Sequence, residues 1–222
     1  QMPPAAAANA DCPTQFFCDG FENVAAGAGS APATSLWQVI DSYTPTPQSD
    51  NVQISTANAH SGKQAVRISS TGSRTGIQAV LPQNTFFMRA WLQVDAVPRG
   101  PVLIGLGTDQ HAETRLRIFN QSWATINAVP GDGVEPNGAT SGNCPDCVTL
   151  VTNRWFCAEM GIDSNAKTAT LWIDGVQAAT LPNDPSQPDK PNMFIGNMAL
   201  EGGQTGVLID DVVAGPTRIG CN

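Results

Sequence analysis

The sequence predicts an all-β protein, a two-sheet antiparallel β-sandwich of the jelly-roll type. Short segments of alternating apolar and polar residues recur along the chain, and this period of two is typical of half-buried strands. Turn-forming residues are abundant, since 21 Gly and 17 Pro are scattered between these segments. No ten-residue window has a clear helical period. Roughly ten to twelve short strands at this spacing favour a sandwich.

The alternating segments give the order of the expected elements. A first strand begins at "FFCDGFENV", and residues 25–50 read as a long loop with one short strand at Trp37–Ile40. Further strands are expected in "NVQISTANAHSGKQAVRISS" (two), "TFFMRAWLQVDAV", "PVLIGLGT" and "ETRLRIFNQSWATINAV" (one or two). After the loop "PGDGVEPNGATSGNCPDC" come a hairpin, the Pro-rich loop "LPNDPSQPDKPN", and the closing strands "MFIGNMAL" and "GVLIDDVVAGPTRI".

The hairpin is the clearest element, "RWFCAEMGIDSNAKTATLWIDGV" at residues 154–176. Both of its arms alternate with period two, and the polar stretch at 163–165 is rich in residues that favour turns. The pair Asp174-Gly175 supplies a second tight turn. Glu159, in the middle of the first arm, is either a catalytic group or a polar residue of a sheet face.

The chain of 222 residues contains no stretch that resembles an interdomain linker. We therefore expect a flexible segment over 1–14 and a single jelly-roll domain over 15–222. The opening "QMPPAAAANADCP" lacks a basic region followed by an apolar core, so no signal peptide is visible. A mature terminus left after cleavage and an end introduced by cloning both remain open.

The charge balance excludes several classes of partner. A net charge of -8 with only 14% charged residues argues against nucleic-acid binding, which needs a basic surface. The same charge removes any simple attraction to an anionic membrane, and no apolar run is long enough to span a bilayer. We expect a monomer that binds neither nucleic acid nor membrane.

The six cysteines indicate a secreted, oxidised protein, extracellular or periplasmic. Six cysteines allow fifteen pairings, of which we expect Cys12–Cys18, Cys144–Cys147 and Cys157–Cys221. The alternative for "CPDC" is a redox or zinc motif. A zinc site would need further Cys or His ligands, and the chain has only two histidines. A redox motif usually accompanies a βαβ pattern, which is absent here.

One sheet face is expected to carry an unusual mixture of side chains. In "FFMRAWLQVD" the residues opposite the apolar side include an arginine, a tryptophan and a glutamine, and neighbouring strands add similar residues. Aromatic faces stack on sugar rings, amides bond hydroxyls, and arginine binds a carboxylate through two hydrogen bonds. The alternative is an ordinary solvated sheet face. The candidate sugar-binding residues are Arg89, Trp91, Gln93, Arg115, Arg117, Glu159 and Trp172.

Three further segments carry a family resemblance: "DGFE" at 19–22, "AHSGKQAVRIS" at 59–69 and "VLIDDVVAG" at 207–215. Together they resemble the secreted carbohydrate-active jelly rolls of the concanavalin-like and carbohydrate-binding-module type. The overall plan is most similar to polysaccharide-lyase-like proteins related to glucuronan lyases. The resemblance covers nearly the whole chain, as scattered short signatures.

This resemblance implies a structural calcium ion. Glu22 and Asp211 would supply carboxylates, and His60 and Lys63 would supply backbone carbonyls. Calcium takes six to eight oxygen ligands and accepts both kinds of donor. The alternative is that Glu22 and Asp211 are turn residues paired with backbone amides.

The resemblance also implies a polysaccharide lyase that cleaves an acidic, uronate-containing polymer by β-elimination in an open groove. Lyases of this fold commonly use His, Tyr or Lys as the base. We expect Arg89, or one of Arg115 and Arg117, to hold the uronate carboxylate, with help from Gln93. His111 is the expected base and Tyr43 the other candidate.

Two other functions remain open. A retaining glycosidase needs carboxyl groups about 5 to 5.5 Å apart, whereas Glu159 and Asp163 would be about 13 Å apart on an extended strand. Glu159 is therefore expected to accept hydrogen bonds in the groove or to pair with a groove arginine. A binding module or lectin without chemistry is the stronger alternative, because it needs only the aromatic and polar face.

Overall fold

The computed structural model describes residues 15, 17–27, 30–32, 35–42, 44–69, 74–82, 86–96, 101–106, 114–119, 123–128, 148–163, 165–181, 192–199 and 206–222. The expected flexible segment 1–14 lies outside these residues, as do Tyr43, His111, Cys144 and Cys147.

Every regular element in this part of the chain is a β-strand, as the alternating patterns predict. In chain order the strands are β1 (Phe17–Asp19), β2 (Gln38–Asp41), β3 (Thr44–Thr46), β4 (Val52–Ser55), β5 (Ala65–Ser69), β6 (Thr75–Val80), β7 (Phe86–Val94), β8 (Pro101–Leu106), β9 (Thr114–Phe119), β10 (Trp123–Ala128), β11 (Phe156–Asp163), β12 (Thr168–Ile173), β13 (Val176–Leu181), β14 (Asn192–Ala199) and β15 (Gly206–Gly215). The described residues contain no helix that is long and apolar enough to cross a membrane.

The strands form two antiparallel sheets. The first sheet has the order β13-β12-β11-β7-β15-β5-β4, and β1 also pairs with β15. The second sheet has the order β10-β9-β8-β14-β6-β2-β3. Consecutive strands often lie in different sheets, as in a jelly roll, so the predicted all-β sandwich is confirmed.

The core lies between the two sheets and follows directly from the alternation. In β7, Phe86, Met88, Ala90, Leu92 and Val94 are fully buried against the other sheet. The residues between them point to the outer face, where they meet the outward residues of β11 and β15. The interior therefore holds the fold together, and the outward residues form the two outer faces of the sandwich.

Three strands were missed by the sequence analysis. The strand β3 contains Pro45, which the analysis assigned to a loop, and it lies at the edge of the second sheet, where proline is tolerated. The strand β13 is a short Ala- and Thr-containing edge strand of the first sheet. The strand β6 begins with Thr75-Gly76, whose small residues hide the alternation.

The cysteine pairing agrees with expectation where the structure describes it. Cys157 and Cys221 form a disulfide with a Cα–Cα distance of 5.8 Å. Cys18 is also disulfide-bonded. The expected partner of Cys18 and the expected Cys144–Cys147 pair lie outside the described residues.

Candidate functional site

Five of the predicted sugar-binding residues share the outer face of the first sheet. Backbone pairing places Glu159 of β11 directly opposite Arg89 of β7 and Trp172 of β12. Trp91 follows two residues after Arg89 on β7, and Gln93 two residues after that. Alternation gives the face within each strand, and the pairing of β7, β11 and β12 brings these five side chains to one face.

Arg115 and Arg117 do not belong to that face, and this corrects the expectation of a single shared surface. Both residues lie in β9, which pairs with β8 and β10 in the second sheet. The alternation within β9 predicts which residues share a face, but it contains no information about which sheet the strand joins. The predicted arginines are thus divided between the two sheets.

Residues 216–222, here called the strap, run across the outer face of the first sheet. The Glu159 carboxylate anchors them: Oε1 accepts a hydrogen bond from Ile219 N at 2.6 Å, and the Gly220 N–H lies 3.3 to 3.4 Å from both oxygens. Arg218 Nε donates to Oε2 at 3.3 Å. Glu159 has no exposed surface. Its expected place as an acceptor in an open groove therefore differs from what the structure shows.

The strap makes four more contacts with the first sheet. The Arg218 guanidinium lies 4.5 Å from the centre of the Trp172 ring and donates to the Gly175 carbonyl at 3.2 Å. Arg89 Nη1 donates to the Gly220 carbonyl at 3.4 Å. The Cys157–Cys221 disulfide ties the strap to β11. Burial lowers the pKa of Arg89, although Asp211 and Glu159 act in the opposite direction.

A cluster of aromatic and amide side chains lies beside the strap. The His60 ring stacks on Trp91, with ring centres 3.7 Å apart and planes within 12°, and meets the Trp155 ring edge-on at 5.8 Å. Trp155 Nε1 donates to Asn58 Oδ1 at 3.3 Å, and Asn58 Nδ2 donates to Gln93 Oε1. Trp91 and Gln93 thus lie on the predicted face of the sheet. Their side chains contact His60 and Asn58, which hold them in place.

The three segments that carry the family resemblance converge, as predicted. Glu22 Oε1 accepts hydrogen bonds from Lys63 N at 2.6 Å and Gln64 N at 2.9 Å. Asp211 Oδ2 lies 2.7 Å from His60 Nδ1, and Asp211 Oδ1 accepts from Ser61 Oγ. The turn at 60–64 is therefore held by carboxylates from two other parts of the chain.

Asp210 lies in the same cluster and is completely buried. Its Oδ2 accepts from His60 N at 2.8 Å and Ser61 N at 3.1 Å. Burial, with a further contribution from the charge of Asp211, raises the pKa of Asp210 to about 7, although its hydrogen bonds act against this shift. Asp211 has a positive φ of 47° at a β-bulge in β15, a strained conformation of the kind often found at functional sites.

The chemistry of these carboxylates suits calcium better than their arrangement does. Carboxylate oxygens are the ligands that calcium prefers. In the described residues, however, no group of three or more His, Cys, Asp or Glu side chains is arranged to hold a metal ion. Glu22 Oε1 and Asp210 Oδ2 each accept hydrogen bonds from two backbone N–H groups. For Glu22, this is the arrangement expected of a turn residue that pairs with backbone amides instead of binding calcium.

The outer face of the second sheet carries a cluster of contacting side chains that the sequence did not predict, in which Arg74 and Phe194 are both buried. Arg74 lies 4.5 Å from the centre of the Phe194 ring, and its Nη2 donates to Gln78 Oε1 at 3.4 Å. Ile40 packs against Phe194 in a small buried cluster outside the main core. Arg74, Gly76 and Gln78 have the spacing of one strand face, so the motif "RTGIQ" contained the signal.

Backbone pairing continues from this cluster as a line of positions across the sheet. Gln38 of β2 pairs with Gln78 of β6, Gln78 with Phe194 of β14, and Phe194 with Gly105 of β8. Gly105 pairs in turn with Arg115 of β9, and Arg115 with Asn127 of β10. We call this line of paired positions the second-sheet row: Gln38, Gln78, Phe194, Gly105, Arg115 and Asn127.

Comparison with known proteins identifies the family. Residues 30–208 match the polysaccharide-lyase-like family described as the Cip1-like core domain. The chain belongs to this family. It is therefore a carbohydrate-active protein with a concanavalin-like fold, as the resemblance in the sequence implied. No curated protein matches the chain.

Solved structures support the fold. Cellulose induced protein Cip1 superposes with a TM-score of 0.71 and 20% identity, covering 93% of this chain and all of that one. Domain 4 of AbnA, an extracellular arabinanase from Geobacillus stearothermophilus solved with arabinotriose, gives 0.54 and 12% identity over 80% of each chain. The botulinum neurotoxin serotype C1 binding domain gives 0.52 and 9% identity, covering 83% of this chain and 48% of that one.

Proposed function

We propose that the protein binds an acidic polysaccharide on the outer face of its second sheet and cleaves it by β-elimination. The second-sheet row carries this proposal. The row combines amides, an aromatic ring stacked by Arg74, and a second arginine position at Arg115. Adjacent strands lie about 4.8 Å apart, so a row of six strands spans about 24 Å, long enough for several sugar rings.

Local arginines matter because the chain as a whole repels an acidic polymer. The net charge is -8, with only 11 Lys and Arg in 222 residues. A uronate can therefore be attracted only where positive groups are concentrated. Arg74 precedes β6, and Arg115 and Arg117 lie in β9 of the same sheet. Guanidinium groups bind carboxylates through paired hydrogen bonds, and this favours an acidic over a neutral ligand here.

The proposed reaction removes the proton α to the uronate carboxylate and expels the neighbouring glycosidic oxygen. A guanidinium bound to the carboxylate stabilises the negative charge that develops when this proton leaves. The electron pair forms the new carbon–carbon double bond as the glycosidic bond breaks, and an acid protonates the departing oxygen. His111 and Tyr43 stay the predicted base candidates.

The first experiment incubates the protein with glucuronan and with alginate and follows the ultraviolet absorbance of the unsaturated uronate product. We expect a rising signal on one polymer. Arg74→Gln and Arg115→Gln should each reduce the rate about tenfold or more, as expected for a lost charge-assisted hydrogen bond. Arg154→Gln, an exposed arginine outside this sheet, is the matched control and should change nothing. Unchanged rates in both row variants would place the substrate elsewhere.

A binding module without chemistry is the second candidate, favoured by the scarcity of base candidates. Affinity electrophoresis in gels containing the same polymers separates the two. A flat absorbance with retention on one polymer, lost in Arg74→Gln, would establish binding without cleavage. No signal and no retention on any acidic polymer would refute both functions.

We further propose that the protein is secreted, as a monomer, and that calcium binds at the Glu22–Asp211 cluster. The disulfide between Cys157 and Cys221 supports an oxidising compartment. Two adjacent aspartates, one with a pKa raised to about 7, support a cation, because a positive ion would relieve their repulsion. The carboxylate oxygens of this cluster now accept hydrogen bonds from backbone N–H groups of residues 60–64. To bind calcium, some of these oxygens would have to rotate towards the ion.

A further inference from the structure

We infer that the strap closes a second carbohydrate-binding face, suited to a neutral sugar chain, and that the Cys157–Cys221 disulfide locks it. The face consists of Trp172, Glu159 and Arg89 on the first sheet, and it is separate from the second-sheet row. The inference does not depend on lyase activity or on binding of an acidic polymer.

The strap occupies positions that a bound sugar would take. Arg218 covers the Trp172 ring at 4.5 Å, where the C–H face of a pyranose would stack. The N–H groups of Ile219 and Gly220 donate to Glu159, where sugar hydroxyls would donate. Trp172 remains partly exposed beside the strap, so one edge of the face is already open to solvent.

The residues beneath the strap can satisfy one another when it leaves. Glu159 and Arg89 lie directly opposite each other on neighbouring strands, yet both bond to the strap, Arg89 through the Gly220 carbonyl. After release they can form a cross-strand ion pair, so the buried carboxylate need not lose its partners. Together they carry no net charge, and the Glu159 carboxylate would repel a uronate. These two properties favour a neutral ligand.

The disulfide is the covalent lock of this arrangement. Cys157 is fully buried, whereas Cys221 is partly exposed, so a dithiol reductant would attack the Cys221 sulfur. That attack forms a mixed disulfide and releases Cys157 as a thiol. The second thiol of the reductant then displaces Cys221, which leaves two protein thiols and one oxidised dithiol. The strap is then held only by its hydrogen bonds and the Arg218–Trp172 contact.

Affinity electrophoresis in gels containing a soluble neutral β-glucan tests the inference. We compare the oxidised protein, the dithiol-treated protein and the variant C157A/C221A. The oxidised protein should migrate as in a gel without polymer. The other two should be retained, with apparent affinity at least tenfold higher. Adding Trp172→Ala to the double variant should abolish the retention, and circular dichroism checks that each variant is folded.

A second variant covers the case in which loss of the disulfide unfolds the protein. Arg218→Ala keeps the disulfide but uncovers the Trp172 ring and removes one bond to Glu159. It should be weakly retained, while Lys167→Ala, an exposed residue of the adjoining turn, should not be. Folded variants that show no gain in retention, or a gain that survives Trp172→Ala, would overturn the inference and leave the strap a purely structural element.

Discussion

Glu159 Oε1 accepts a hydrogen bond from the backbone N–H of Ile219 at 2.6 Å, and the Glu159 side chain is completely buried. Glu159 therefore anchors the strap to β11. Its carboxylate accepts from the amide groups of two half-buried residues, Ile219 and Gly220, where residues 216–222 cross the sheet. A charged residue on the outer face of a strand can thus indicate a covering segment as well as a ligand.

Glu159→Gln should lower the free energy of unfolding by about 1–3 kcal/mol. Glutamine can still accept from Ile219 N, but its NH₂ group faces donors from Gly220 and Arg218. Urea denaturation measures the change, and hydrogen exchange should show faster exchange of the Ile219 and Gly220 amides. The exposed Asp50→Asn is the control. Unchanged exchange at both amides would refute the anchoring role.

Removal of the Cys157–Cys221 disulfide should destabilise the protein by about 4 kcal/mol, the loop-entropy value for residues 64 apart. The bond closes a long loop between β11 and the strap, so its removal increases the conformational entropy of the unfolded chain. The comparison is between the oxidised protein and C157A/C221A in the same denaturant series. A loss below about 1 kcal/mol would mean that the strap's other contacts hold it without the covalent link.

The sequence predicts correctly those features that depend only on the alternation within a single strand. The buried and outward residues of β7 follow from period two, whereas both faces of β11 are buried, because the strap covers its outer side. The convergence of the segments containing Glu22, His60 and Asp211 followed from the resemblance. What could not be read is the partner sheet of each strand, because long-range pairing leaves no local pattern. Arg115 was for this reason assigned to the wrong face.

The strap and the second-sheet row escaped prediction for different reasons. The strap has no regular structure, so only the expected Cys157–Cys221 pair pointed to its position. The row depends on Gly76 and Gly196, paired residues whose missing side chains make room for the Phe194 ring. Glycine reads as a turn signal in a sequence, and here it concealed the strand that positions Arg74.

The buried Asp210 should make stability fall as pH rises from about 4 to about 7. Its pKa is raised to about 7 in the folded state from 3.8, so the folded protein keeps a proton that the unfolded chain has lost. Stability therefore decreases with pH across this window and levels off above it. The difference in unfolding free energy between the protein and Asp210→Asn, measured at several pH values with chelator present, should show this slope.

Asp211→Asn provides a second arm for the same measurement. The charge of Asp211 is one cause of the raised pKa, after burial. Its removal should lower the pKa of Asp210 and move the pH window downwards. A window that stays in place would mean that burial alone sets the pKa. No slope in either protein would contradict the raised pKa itself.

Calcium, if it binds as proposed, should raise the melting temperature, and chelation should lower it. Glu22→Gln and Asp211→Asn should each remove most of the response to calcium. The exposed Asp163→Asn is a matched control, because its carboxylate serves only a local turn. An unchanged melting temperature on chelation of protein purified with calcium would count decisively against the site.

Gly196→Ala should both destabilise the protein and weaken binding at the second-sheet row. A Cβ at this position would lie 2.3 Å from the Thr75 carbonyl oxygen and 2.6 Å from Gly76 Cα, so the backbones of β14 and β6 would have to separate. The Phe194 ring, which lies over both glycines, would move and take Arg74 with it. We expect a loss of about 2 kcal/mol or more, as for an overpacked core.

Gly175→Ala separates this effect from the general consequence of replacing a glycine. Its φ is +82°, so alanine is strained there by about 1–2 kcal/mol, but nothing lies within 4 Å of the added Cβ. Both variants should therefore lose stability, while only Gly196→Ala should lose retention on the acidic polymer that the protein binds. Equal retention in the two variants would show that the Phe194 ring and the Arg74 that it positions take no part in binding.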